Sequence, residues 1–455
     1  MITRLKTISL VVLTAACAGI HAQNGVNSPY SRYGFGVMSD RSMGFNKGMG
    51  GISQGFRDGQ SINTANPASY SGCDSLTALF DFGLSLQNGN YKMNGLQQNA
   101  RNTSFDYAAF HFRAYKGVGV AVAVLPVTNI GYSFSSSSEV LSGSEDITSS
   151  YTFSGSGGLH QVMLGAGFQI AKPLSVGANI SYLYGDYTHS MSMSFSESSI
   201  NSITRSYTAD ISTYSLDLGA QYTQVLSKDK KLVVGATYSL GHDINNDAYR
   251  STANYNSSSS TTTTNTDTIK NAFQLPTSIT AGLAYYYKNN IVVGADVMVQ
   301  KWSDVRFPNQ ATTSASNGAT DANDFTTVNN IFNDYVKLSA GIAYTPDPMA
   351  RSYGQRITYK FGGFYSKTYA NTDVESNISG KPYEFGVSAG LTLPISNRNA
   401  MWSSPKINIS MQWVHTNVPY MSATMKSQTD LTENYLKLSV GLTFSDRWFY
   451  KWKVK

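Results

Sequence analysis

From Leu76 onward the chain alternates. Apolar residues take every second position over stretches of 9–14 residues, small or polar residues fill the positions between, and each stretch ends in a break. In the first stretch Leu76, Ala78, Phe80, Phe82, Leu84 and Leu86 share one face, while Thr77, Asp81, Gly83, Ser85 and Gln87 share the other. A period of two belongs to a strand whose two faces meet different surroundings. The pattern predicts fourteen strands, over 76–88, 103–115, 117–135, 157–171, 174–194, 206–226, 231–247, 270–287, 291–305, 333–345, 356–368, 382–395, 405–416 and 433–445.

The breaks alternate as well. Short ones fall at 115–117, 171–173, 227–230 and 288–290, with two of about ten residues near Pro346 and Asn397. Long ones, rich in Ser, Thr and Asn, fall near 88–103, 136–156, 195–205, 248–269, 306–332, 369–381 and 417–432. Seven long connections at one end and six short ones at the other fit an all-β, antiparallel transmembrane β-barrel of about 14 strands, the porin-like architecture of Gram-negative outer membranes. Closure is a physical requirement, because an open sheet edge in lipid leaves unpaired N–H and C=O groups costing several kcal/mol each. Aromatics near segment ends (Tyr285–Tyr287, Trp302, Trp402, Trp413, Trp448 and Tyr450) are expected to form girdles at the two interfaces. A soluble propeller or tandem sandwich is the competing fold, and no covering helix or second sheet is evident for it.

Composition narrows the class further. Only 14% of the 455 residues are charged, against about 25% in ordinary soluble domains. No mature stretch approaches the roughly 20 apolar residues of a spanning helix. The net charge, 34 − 28 = +6, is diffuse and forms no basic stripe, so no nucleic acid is expected as a partner. Residues 1–22 read as a Sec signal peptide, basic at Arg4 and Lys6, apolar from Ile8 to Ile20, with cleavage after Ala22. A lipoprotein reading, with Cys17 lipidated, is the alternative. Either way the chain leaves the cytoplasm, and Cys73 is the single mature cysteine.

Residues 23–75 do not alternate. They are dense in Gly, mixed in charge, and precede the barrel at 76–446, with a basic periplasmic tail at 447–455. A barrel of this size encloses more space than its own side chains fill. The segment is therefore expected to fold inside the barrel as an N-terminal hatch, or plug. Gly48-Met49-Gly50-Gly51, then Arg57-Asp58, then Asn66-Pro67-Ala68 just before the first strand, resembles the FadL-like outer-membrane transport family. The resemblance implies a fourteen-stranded barrel with a hatch carrying the Asn-Pro-Ala motif, and uptake of long-chain fatty acids or aromatic hydrocarbons. PorV-like members imply a different role, docking proteins in type IX secretion. The opening Ser28-Pro29-Tyr30-Ser31-Arg32-Tyr33-Gly34 departs from the general pattern and points to a distinct subfamily. On the residues alone, proline biases Asn66 toward an extended conformation and the Asn amide bonds nearby backbone, giving a rigid corner.

In the third segment Pro126 is followed by Asn129 and Gly131. Proline gives the ladder no N–H, so it marks a bulge or a gap in pairing. The resemblance makes this stretch the expected lateral opening, through which greasy cargo leaves into the bilayer. Inward positions carry Asp81, Arg113, Asp217, Asp296, Lys337, Lys360, Glu384 and Lys437, four acids and four bases, with no single-sign ring as in an ion-selective pore. Several are expected to pair with the charged hatch residues, among them Arg32, Arg41, Lys47, Arg57, Asp58 and Asp74, because a buried charge without a partner is costly.

Catalysis is not expected. Gly51-Ile52-Ser53-Gln54-Gly55 and Gly386-Val387-Ser388-Ala389-Gly390 match G-x-S-x-G, yet neither has a strand before it and a helix after it. The histidines lack metal-ligand spacing, so neither metal nor cofactor is expected. The leading reading is a passive channel for a hydrophobic small molecule, with the bilayer and lipopolysaccharide around it. The alternative is a structural barrel that docks other outer-membrane or secretion-complex proteins.

Overall fold

The computed structural model describes residues 26–93, 96–142, 145–288, 290–308, 325–371, 382–395, 405–421 and 428–447. The signal-peptide reading, residues 448–455 of the tail, and Trp402 lie outside them. Fourteen barrel strands follow in chain order: β1 Thr77–Met93, β2 Leu96–Tyr115, β3 in two pieces, Val118–Pro126 and Thr128–Ser142, β4 Glu145–Gln169, β5 Leu174–Phe195, β6 Ser202–Ser227 and β7 Lys230–Ser239. Then come β8 Ser278–Tyr287, β9 Ile291–Gln300, β10 Tyr335–Tyr344, β11 Thr358–Lys367, β12 Tyr383–Pro394, β13 Lys406–Met421 and β14 Gln428–Arg447. Each pairs antiparallel with its neighbours in the chain. β14 returns to β1 from Thr77↔Arg447 to Lys92↔Thr432 and closes the cylinder.

The wall is inside-out relative to a soluble protein. Phe80 is 45% exposed, and Leu84, Leu86, Leu436, Leu438, Val440 and Phe444 are exposed beside it, while Asp81 and Ser85 are buried. The apolar face thus looks outward to lipid and the polar face inward, as the alternation predicts. Trp302 departs from its expected place in a girdle. It is only 2% exposed, stacks on Tyr369 with ring centroids 4.3 Å apart, and donates its indole N–H to Gln300 Oε1 at 2.9 Å. The loop after β9 turns this ring inward, where the indole nitrogen finds an acceptor.

Strand ends differ from expectation at the long-connection end. β1 and β2 run on to Met93 and Leu96, and β4 and β6 reach 25 and 26 residues, against the roughly 9–11 that cross a bilayer. β7 stops at Ser239 and β8 starts at Ser278, both short of the sequence expectation. Two strands, Ala248–Asn256 and Thr261–Ile269, arise within the stretch read as a loop. Above the membrane both faces are wet, so the apolar alternation vanishes while the strand preference of Thr and Tyr persists. The largest apolar cluster sits at this outer end, where Phe35, Tyr187, Phe273, Trp302, Phe307, Phe332 and Tyr369 pack together.

Candidate functional site

Residues 26–76 thread the lumen from the outer end to the short-turn end. Near the top, Ser28 caps a single 3-10 turn, Pro29–Arg32. Ser28 N donates to Gly131 O at 2.8 Å, Gly131 N donates to Ser31 Oγ at 3.0 Å, and Ser28 Oγ donates to Glu433 at 2.7 Å. Tyr30 Oη bonds Leu431 O. Next, Val37–Met38 pairs antiparallel with Asn129 and Thr128. At the bottom, Arg113 Nη1 donates to Ser75 Oγ at 2.8 Å.

Charged pairs fix the middle. Arg41 Nη2 lies 3.0 Å from Asp217, and Lys47 Nζ lies 2.9 Å from Asp106, which Lys437 also approaches at 3.5 Å. Asp296 accepts backbone N–H groups from Ser53 at 2.6 Å and Gln54 at 3.0 Å. Lys360 Nζ donates to Phe45 O at 3.0 Å. Asp81 accepts from Tyr107 Oη at 3.1 Å, and that same hydroxyl accepts Gly44 N at 2.8 Å. Lys337 lies over the Phe364 ring at 4.6 Å, and Glu384 accepts from Tyr435 Oη at 3.2 Å. Burial opposes ionisation of Asp40, yet Lys337 and Lys47 outweigh it and hold that carboxyl below its ordinary range. Burial likewise works against the charge on Lys47, and Asp106 and Asp40 outweigh it, raising that ammonium.

The motif residues sit lower. Asn66 Oδ1 accepts from Ala68 N at 3.1 Å and so caps the turn Pro67–Gly72, while its amide donates to Gln54 O at 3.2 Å and to Ala220 O of β6 at 3.3 Å. Arg57 bonds Ala68 O at 3.0 Å, Ser71 Oγ at 2.9 Å and Gln221 Oε1 at 3.2 Å, binding the turn to the wall. Asp58 accepts from Ser61 Oγ at 2.7 Å. Gly50 and Gly51 have φ of +70° and +80°, and a Cβ on Gly50 would meet the carbonyls of Gly363 at 2.7 Å and Ala340 at 2.8 Å. The wall answers in kind: on β7 a Cβ at Gly235 would collide with the Gln54 carbonyl, so backbone rests on backbone. Both G-x-S-x-G serines belong to this packing. Ser53 Oγ donates to Asp296 at 3.2 Å and Ser388 Oγ accepts Gly50 N at 2.9 Å.

Among the described residues the wall is broken between β2 and the second piece of β3. β3 pairs with β2 only from Ala108↔Val124 to Tyr115↔Val118, and among the described residues the second piece of β3 has no ladder to Leu96–Tyr107. On the other side β4 follows both pieces, from Pro126↔His160 to Ile130↔Gly157, with one extra β3 residue between. That is a bulge, and Gly157 and Gly158 accommodate it at φ of +121° and +137°. Pro126, two residues past the last β2 pair, brings no N–H that the break would leave unsatisfied. Pro126, Asn129 and Gly131 therefore gather at the break, where Asn129 Nδ2 also donates to Ser39 Oγ at 2.7 Å. A cavity of about 160 Å³ lies behind it, with Pro126 and Asn129 on one side and Asp40, Asp106, Lys337, Glu384, Glu433 and Lys437 on the other.

Asp106, Asp40 and Glu433 escaped the sequence reading. Asp106 does so for a structural reason: the β1–β2 register shifts between Gly83 and Leu84, opposite Tyr107 and Phe105, so Asp106 and Tyr107 both turn inward. Alternation alone sends only one of two neighbours inward.

A family model described as BamG matches residues 1–455. The chain belongs to the BamG family. Among solved structures, this BamG-family barrel is similar to the toluene transporter TodX of Pseudomonas putida, with 14% identity and a TM-score of 0.56 over 89% of this chain and 98% of that one. A FadL homologue of Pseudomonas aeruginosa gives 10% identity and 0.57 over 89% and 98%, and the toluene transporter TbuX of Ralstonia pickettii gives 14% and 0.55 over 89% and 97%. No curated protein matches in sequence. At such identities the likeness establishes the fold alone, a barrel of the FadL type.

Proposed function

We propose that this barrel is an outer-membrane channel for passive uptake of a hydrophobic small molecule, released sideways at the break in β3 and closed here by its own N-terminal segment. One coincidence carries the reading: the β2 ladder ends at Val124, two residues before Pro126 where the lumenal cavity begins, and the residues covering that point, Val37–Met38, come from the segment that would have to move. The neighbours described as toluene transporters support the same cargo class. Cargo would reach the cavity past the aromatic cluster around Phe35. The test joins the paired residues Val37 and Asn129 by cysteine substitution and follows uptake of a monoaromatic and of a fluorescent fatty acid by cells or liposomes. Release through the break predicts uptake that falls on oxidation and returns on reduction. Uptake indifferent to the bridge would reject it.

A second reading, a barrel that docks other proteins in an outer-membrane assembly or secretion complex, draws on the charged groups of the cavity. Four carboxylates and two lysines stand among its otherwise largely apolar lining, charges that a greasy cargo would have to pass. Purification in mild detergent separates the two: a stoichiometric protein partner supports docking, and a lone barrel carrying lipid supports transport.

A further inference from the structure

Beyond the bilayer the outer parts of β4, β5 and β6 continue as one sheet, and the hairpin of Ala248–Asn256 and Thr261–Ile269 extends it by two strands. Ala248–Asn256 is enclosed: Tyr249–Tyr255 pairs with β6 on one side, and all nine residues pair with Thr261–Ile269 on the other. Among the described residues, Thr261–Ile269 has a partner on one side only. Its far edge therefore offers N–H and C=O groups at every second residue along nine positions. Protein edges of this kind are ordinarily blunted by lysine, proline or a bulge. Here the sequence is Thr-Thr-Thr-Thr-Asn-Thr-Asp-Thr-Ile, its ladder runs without a bulge, and Thr261 to Thr266 are all exposed. Its one charge, Asp267, is held by Arg250 of the enclosed strand at 2.6 Å.

We propose that this edge is a docking site for an extended segment of another protein, which adds to the external sheet as a further strand. Backbone hydrogen bonds supply the affinity, as in β-augmentation generally. The side chains set the chemistry: a threonine row with its only carboxylate already neutralised suits an uncharged partner strand bearing hydroxyls or amides. The same operation is already built into the fold, because Ala248–Asn256 is itself added to β6 in this way. A second copy in the same membrane is a poor occupant. Thr261–Ile269 runs from the hairpin tip back toward the barrel, so an antiparallel mate must run away from it, and the matching edge strand of an upright second barrel runs toward it. The site goes beyond both readings above and holds whether or not the lumen conducts.

Hydrogen exchange on the full chain in detergent tests it, with an uncharged nonapeptide of the sequence Ala248–Asn256 carrying Arg250→Gln as the probe strand. In the free protein about every second amide of 261–268 should exchange fast, and peptide at about ten times its Kd should slow those amides about tenfold. Thr263→Pro and Thr264→Pro, made separately, remove neighbouring N–H groups that face opposite sides of the strand. The variant that keeps the inner ladder protected should lose the peptide effect. Outward amides that are already slow without peptide, a peptide without effect, or equal peptide protection in both variants would each overturn the proposal.

Discussion

Lys47 and Asp106 meet at 2.9 Å with side chains only 6% and 5% exposed, joining the lumenal segment to β2 beside the cavity. Removing one partner of a buried pair costs about 3–5 kcal/mol, because the other charge stays desolvated. Lys437 at 3.5 Å remains to soften that loss, so Lys47→Met is expected at the low end, about 3 kcal/mol. The cost falls on seating of the segment rather than on the wall. Limited proteolysis should cut residues 26–76 faster while the barrel keeps its strand circular dichroism. Lys47→Met with Asp106→Asn should recover much of the loss, and an unchanged cleavage rate in the single variant would remove this pair from the anchor.

The same anchor has a pH window. Asp40 ionises below its ordinary value, so its contribution is full above 3.8 and is lost as pH falls through the lower value it has in the folded chain. Lys47 is raised, so its contribution is full below 10.5 and is lost as pH rises through its higher folded value. Conductance in planar bilayers should therefore stay low across the neutral range and rise toward strong acid and strong base. A rise centred near neutral pH would mean that other groups hold the segment.

Gly235 lets the wall touch the Gln54 carbonyl, and any side chain there must push the segment away. Overpacking of this kind costs about 1–3 kcal/mol. Gly235→Val should leave assembly of the barrel intact, since valine suits a strand, and should raise both conductance and proteolysis of the segment. Normal conductance would show that the contact carries no seal.

The membrane-facing half of this fold was readable from alternation, because lipid on one side and a polar lumen on the other repeat the same two-residue rhythm through all fourteen strands. The eight charges expected to face inward, from Asp81 to Lys437, are read from that same rhythm. It fails where the two-faced condition fails. Above the bilayer, Ala248–Asn256 and Thr261–Ile269 are wet on both faces and look like loop; at the bulge, Asp106 escapes its parity. Trp302 illustrates a third limit, since a ring near a strand end reads as a girdle whichever way the following loop turns it. The partners of the lumenal segment are non-local, such as Ser28 with Glu433, and no local pattern encodes them.

The direction of that segment carries the last prediction. Ser28 and Tyr30 bond Glu433 and Leu431 near the start of β14, at the end of the long connections, whereas Ser75 is held by Arg113 beside the short turn that follows β2. In an outer-membrane barrel the long connections face outward. The segment therefore descends the lumen from its outer half, where Val26 lines the cavity, to β1 at the short-turn end. A short peptide tag joined ahead of Val26 should be labelled on intact cells by a reagent that does not cross the outer membrane. A tag placed in the Lys228–Asp229 turn between β6 and β7 should stay silent until the membrane is permeabilised, which controls for leakage. Labelling of the Val26 tag only after permeabilisation would mean that the segment is threaded from below, and that the contacts of Ser28 with Gly131 and Glu433 do not persist in the assembled protein.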